Sequence, residues 1–180
     1  MRPTEELIHE HEIIAHVLTG AEKAAHSILS THAVDIDRVQ NIIDFSRHFT
    51  DQCHHKKEEK HLFVRLVERG MSKEHGPIGV MLNEHQMGRD IIRKMEVALT
   101  EYQSGKKEAG DSVGQWILKY VQLLRNHIMK ENNILFPMAD GILTTEDQQH
   151  LEMAFNEVEM KEMGEGVHEK YHQLAHKIGQ

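Results

Sequence analysis

A chain of 180 residues with 39% apolar and 28% charged side chains has the size and balance of one globular domain with a sizeable core. Its net charge of −8 argues against a nucleic-acid partner, and no apolar run of about 18 residues is present to span a bilayer. The single Cys excludes an internal disulfide and no secretory pattern opens the chain, so a reducing, cytoplasmic setting is expected; the 16 His are the anomaly.

Few Pro and Gly among many Glu, Lys, Leu, Met and Ala make helix the expected element throughout. The first helix is predicted to begin after Pro3, with Thr4 as cap and Glu5 and Glu6 in its first turn, and to run to about Thr31. Leu7, His11, Ile14, Leu18, Ala21, Ala25 and Ile28 form its seam, which places His11 in the core. His16 and His26 fall off the seam, and His32 lies about 30 Å along it from His11. A second helix is predicted from about Asp35 to Glu68, stopped by Gly70, with Val39, Ile42, Ile43, Phe45, Phe49 and Cys53 buried. His54 and Glu58 flank that face. His55 and Glu59 form a rival His-x3-Glu pair whose phase points further round towards solvent.

After a turn over residues 71–76, the third helix (about Pro77 to Gln103) carries the seam Ile78, Met81, His85, Gly88, Ile92, Met95, Leu99 and Tyr102. Gly88 there allows either close packing or room for a small ligand. The fourth helix, about Asp111 to Met138, gathers Val113, Trp116, Tyr120, Leu124, His127, Glu131, Ile134 and Leu135 on one side. Tyr120 reads as core. Beyond it, Thr145-Glu146-Asp147-Gln148 resembles a capping box, and Leu151, Ala154, Phe155 and Val158 predict a helix packed on the rest. Gly164 and Gly166 should break it before a last short helix, whose His168, His172 and His176 share one face, read as solvated rather than metal-binding. The fold expected is all-α: an up-down-up-down four-helix bundle over residues 1–140, with a C-terminal helical extension over 141–180 packed on it.

The two halves of that bundle repeat each other. Leu7-Ile8-His9-Glu10-His11 recurs as Met81-Leu82-Asn83-Glu84-His85, and His54-x3-Glu58 before Leu62-Phe63 recurs as His127-x3-Glu131 before Leu135-Phe136, always 73 or 74 residues on. An i, i+4 pair presents imidazole and carboxylate in one direction. Short turns would bring His11, His54, Glu58, His85, His127 and Glu131 to one depth, where burying them without counter-charges would be costly. The donor set suits a pair of Fe, Mn or Zn ions and disfavours thiolate sites. Glu58 and Glu131 are the natural bridges, His11 and His54 would serve one ion and His85 and His127 the other, with positions left for an oxo or hydroxo bridge and a small ligand. The ferritin-like pattern Glu-x-x-His occurs at Glu58 and His61 but fails after Glu131, where Ile134 stands.

These motifs, over roughly residues 5 to 140, resemble the hemerythrin-like proteins, non-haem di-iron bundles named for their His-His-Glu pattern. The resemblance implies two bridged Fe ions held by the six residues above. It also implies binding or sensing of O2, NO or iron, or a di-iron enzyme or iron-centre repair protein acting on O2, NO or peroxide. The invertebrate oxygen carriers of that family use His-x3-His on the third helix, and Met81 stands where its first His would be. An enzyme of this kind would need an external electron donor, since no flavin or nicotinamide motif is evident.

Overall fold

Six helices make up the described part of the chain, residues 1–164 and 167–179 of a computed structural model, in which the side chains of Met163, Val167 and His168 are also left aside. Helix α1 spans Pro3–Thr31. Helix α2 is one rod that changes pitch: α over Ile36–Phe45, π over Ser46–His55, π again over Glu58–Leu62 and α over Phe63–Glu68. Helix α3 spans Pro77–Gln103. Helix α4 runs α over Ala109–Lys130, π over Glu131–Leu135 and α over Phe136–Ile142. Thr145–Val158 with the π turn Glu159–Met163 forms α5, and Val167–Gly179 forms α6. No strand occurs among the described residues, and no helix among them is long and apolar enough to cross a membrane. The expected break at Gly166 and the imidazole of His168 lie outside the described residues.

Local chemistry sets the helix ends, in two places one or two residues from the sequence expectation. Arg2, not Thr4, precedes α1. Pro3 takes the first position, where its missing N–H is harmless, and the Glu5 carboxylate accepts the Arg2 backbone N–H at 2.9 Å. Thr4 is buried instead and donates its hydroxyl to Asp140 at 2.7 Å, fastening the start of α1 to the end of α4. The Asp35 side chain caps α2 by accepting from the Arg38 N–H. The cap of α5 is Thr144, whose hydroxyl accepts from the Asp147 N–H while the Asp147 carboxylate accepts from the Thr144 N–H. That box sits one residue before the one expected.

Two dry layers enclose a polar slab. One contains Leu7, Leu62, Phe63, Ile78, Met81, Leu135 and Phe136; the other contains Ile14, Leu18, Phe49, Cys53, Ile92 and Leu124. Between Leu7 and Ile14 lies His11, between Cys53 and Leu62 lie His54 and Glu58, between Met81 and Ile92 lies His85, and between Leu124 and Leu135 lie His127 and Glu131. Helices α1 and α3 therefore cross the slab in the sense opposite to α2 and α4. Ile134, expected inside, is half exposed because the π turn rotates it out, and Trp116 is only partly buried.

The C-terminal helices extend both layers. Leu151 and Phe155 of α5 join the first, and Tyr171, Ala175 and Ile178 of α6 join the second. His172 meets the Phe49 ring edge-on and His176 stacks with His16, and no metal-ligand group among the described residues includes either. At Gly20 the backbones of α1 and α6 come so close that a Cβ would stand 1.9 Å from the Ile178 carbonyl oxygen, which also accepts from Arg38 at 3.1 Å. Gly20→Ala should therefore lower stability by about 1–3 kcal/mol in urea denaturation and hasten proteolysis after residue 164. An unchanged midpoint would show that α6 does not depend on this approach.

Candidate metal centre

The slab brings all six predicted residues together, and adds a seventh. His11, His54, His55, Glu58, His85, His127 and Glu131 are each at most 4% exposed. Their ligand atoms fall into two groups, each within 4.8 Å: His11, His54, Glu58 and Glu131 in one, His55, Glu58, His85 and His127 in the other. Glu58 belongs to both. One Glu131 oxygen lies 3.2 Å from the Nε2 of both His11 and His127, and a Glu58 oxygen lies 3.3 Å from His85 Nε2.

The solvent-facing expectation for His55 is overturned. Each residue of a π turn advances less around the axis than the 100° of an α-helix. Across Ser46–His55 that lag accumulates until His54 and His55 both face inward. Glu59 is corrected with it: its side chain is 18% exposed and accepts from His85 Nδ1 at 2.8 Å.

Every imidazole is held from behind by an acceptor on its Nδ1, and the repeat governs these partners as well. His11 is held by Asn132 at 2.7 Å and His85 by Glu59 at 2.8 Å; His54 by Glu10 at 2.8 Å and His127 by Glu84 at 3.0 Å. Behind those last two carboxylates stand Lys57 and Lys130, which donate to Glu10 and Glu84 respectively. Such an acceptor fixes the proton on Nδ1 and leaves the Nε2 lone pair directed inward. The sequence marks Glu59 only as a member of a rival ligand pair, and Glu10 and Glu84 only as part of the repeat; their role behind the rings, and Asn132, do not stand out in it. The signal available was the Glu-His pair at Glu10-His11 and Glu84-His85, in which each Glu serves a His of the next helix rather than its neighbour.

The inner atoms lack partners. Nε2 of His11, His54 and His55 and all four carboxylate oxygens of Glu58 and Glu131 accept or donate no hydrogen bond, although fully buried. Orphaned polar atoms converging at this depth would be strongly unfavourable without cations, so the residues fit a pair of divalent ions. Imidazole and carboxylate without sulfur suit Fe, Mn or Zn. Cys53 takes no part: it is buried, belongs to neither group, and burial pushes its thiol up to about 12.

Without counter-cations the charges settle unevenly. Burial and the neighbouring Glu131 charge push Glu58 well above the usual carboxylate range. Burial acts the same way on Glu131, but the charge of His127 and the close approach of the His11 and His127 rings outweigh it and hold Glu131 well below. Burial lowers His54 to about 4 against its bond to Glu10, and drives His85 well down together with the nearby His55 and His127. His127 is the exception: against burial, Glu131 and Glu84 raise it to about 9. A cavity of about 210 Å³ reaches His55 and His85 from the surface, lined by Arg47, Arg89, Gly88 and Tyr120. A Cβ on Gly88 would meet Tyr120 at an ordinary 3.7 Å, so packing does not require the glycine, which opens onto this space.

The profile of the hemerythrin HHE cation binding domain matches residues 2–139. Uncharacterised proteins of Mycobacterium tuberculosis and Mycobacterium bovis are 20% identical over 161 residues, covering 89% of this chain and 62% of theirs. The chain thus spans less than two thirds of the length of these relatives. The iron–sulfur cluster repair protein YtfE of Edwardsiella ictaluri is 36% identical over 92 residues, 49% of this chain and 41% of that protein. No solved structure matches the chain.

Two outcomes are expected of this charge arrangement. His127 is raised, so the stabilisation from its proton is complete below about 6.5 and is lost as pH rises through about 9. The melting temperature of metal-free protein should fall over that interval, and bound zinc should reverse the trend by displacing the proton; a metal-free melting temperature that rises with pH contradicts the assignment. Lys57→Met, which leaves buried Glu10 without its cation, should cost about 3–5 kcal/mol in chemical denaturation. The same change at half-buried Lys56, whose pair with Glu162 lies near the surface, should cost about 0–1 kcal/mol.

Proposed function

Because the chain belongs to the hemerythrin HHE cation-binding family, we propose that it is a non-haem di-iron protein that binds or senses a small diatomic ligand, O2 or NO, or iron itself. In this reading α1 to α4 form the up-down-up-down bundle of residues 1–140, and residues 141–180 are an extension packed on it. The observation that carries the proposal is the convergence of orphaned, buried imidazole nitrogens and carboxylate oxygens on two positions that share Glu58.

The residues divide the work. His11 and His54 would hold one ion and His85 and His127 the other, with carboxylate oxygens supplied by Glu58, which belongs to both groups, and by Glu131, 3.2 Å from the rings of His11 and His127. Glu10, Glu59, Glu84 and Asn132 hold Nδ1 of their rings from behind, so that Nε2 is turned to an arriving ion; at His127 that ion would displace a proton. The dry layers above and below exclude water, which preserves the strength of charge interactions inside. The cavity beside Gly88 provides a path for a molecule of a few atoms. When bound, a pair of irons supplies one-electron redox steps and coordination positions open to such a molecule. Turnover would draw on an external electron donor in the cytoplasm.

A second reading, repair of damaged iron–sulfur centres, is favoured by the similarity to the repair protein of Edwardsiella ictaluri. It uses the same ions and differs in what leaves the site: iron rather than a diatomic ligand.

Anaerobic reconstitution followed by O2 titration separates the two. Uptake of two irons per chain, abolished in the Glu58→Ala, Glu131→Ala double variant, is expected under both. Reversible, stoichiometric O2 uptake supports binding, whereas rapid irreversible oxidation with release of iron to an apo-cluster acceptor supports repair. Iron content well below two per chain, unaltered by the double variant, would overturn the di-iron reading.

A further inference from the structure

We propose that His55 is a further metal ligand, a fifth imidazole that makes the two halves of the centre unequal. This rests on the di-metal reading above and extends it to a residue outside the repeated His-x3-Glu pattern.

Three observations carry it. First, His55 Nε2 is buried, has no hydrogen-bond partner, and lies in the group of ligand atoms formed with Glu58, His85 and His127. A histidine that only filled core space would have both nitrogens satisfied or one turned to solvent; this one leaves a bare nitrogen beside a carboxylate and two imidazoles. Second, it is held as the other imidazoles are. Its Nδ1 faces Asp51 at 3.3 Å, and its ring stacks on His85 with centroids 3.8 Å apart. Arg89 donates to Asp51 at 2.8 Å and to Glu59 at 2.6 Å, so one guanidinium steadies the acceptors behind both His55 and His85.

Third, this unit breaks the internal repeat. At the matching positions of the other half stand Ile128 for His55, Leu124 for Asp51 and Ala15 for Arg89. The backbone breaks the repeat at the same place: the π turns Glu58–Leu62 and Glu131–Leu135 correspond, but the π stretch Ser46–His55 has no equivalent in α4, where the matching residues are α-helical. The π stretch turns His55 inward, and three unrepeated side chains serve it there. One ion is then held by three imidazoles and Glu58, and the other by two imidazoles with Glu58 and Glu131. The cavity from the surface ends at His55 and His85, on the three-imidazole side.

The test uses the full chain loaded with cobalt(II), whose unpaired electrons shift the proton signals of ligated rings far from the rest of the spectrum. With every imidazole bound through Nε2, each ligand contributes one exchangeable Nδ1–H signal, lost in D2O. Five such signals are expected in the native protein and four in His55→Gln. In chelator competition, His55→Gln should weaken one of the two cobalt sites by at least about tenfold and leave the other unchanged. Four signals in both proteins, with equal affinities, overturn the proposal while leaving the di-metal reading intact. Failure of native protein to take up cobalt overturns both. Should His55→Gln not fold, Asp51→Asn keeps the ring in place and changes the acceptor behind it, which Arg89 shares: the His55 signal is expected to move most, and five unmoved signals or none assignable to His55 overturn the proposal.

Discussion

Two carboxylates and five imidazoles lie almost wholly buried between apolar layers that cannot answer their charge. The rest of the structure is arranged around that constraint. The rods cross the slab in alternating directions, so that each delivers its polar residues at the same height. Gly20 leaves the room that the approach of α1 and α6 needs, and the outer carboxylates stand where the inner rings need an anchor. A purely apolar layer here would give a more stable fold by the usual arithmetic of buried charges. That the chain keeps the charges, and keeps them in two related copies, gives a physical reason to regard cation binding as what this layer is for.

The outer layer is as ordered as the inner one. Each ring is backed by an acceptor, and two of these acceptors are backed in turn by a lysine at the same repeat position. Such chains of charge keep ring orientation and tautomer fixed before any ion is present, which removes much of the reorganisation that binding would otherwise require. They also distribute the negative charge. Glu10 is held at about 2 because bonds from His54 and the nearby Lys57 outweigh the effect of burial. The acceptor therefore remains ionised throughout the range in which its ring titrates.

Much of this was legible in the sequence because it depends on helical phase. His11, His85 and His127 sit on apolar seams, and counting along α-helices of known rise sets their common depth. The family pattern reinforced the count. What was not legible depends on departures from the α-helical phase or on contacts between helices. Nothing in Ser46-Arg47-His48-Phe49 announces a π turn, and the lag it introduces decides the fate of His55 and Glu59. Ile134 was misplaced for the same reason. Asn132, Asp51 and Arg89 are ordinary surface residue types until the neighbouring helix is present. The caps at Arg2 and Thr144 shift by one or two residues because Pro3 and the Thr144–Asp147 exchange of hydrogen bonds offer better local solutions than the residues expected.

Lys57 carries one more consequence. Its ammonium, wholly buried, donates to Glu6, to Glu10 and to Glu159, the last belonging to the π turn that ends α5. The run from Glu159 through Lys57 and Glu10 to His54 is continuous, so a local opening of the chain near Glu159 removes one of three anions neutralising that ammonium. The same opening gives water a path to Glu10. Partial fraying of the C-terminal region, far cheaper than global unfolding, would thus be felt as a change of field at the His54 ring. The exchange lifetime of any ion held by His54 would then depend on that region's local stability as well as on the ligands.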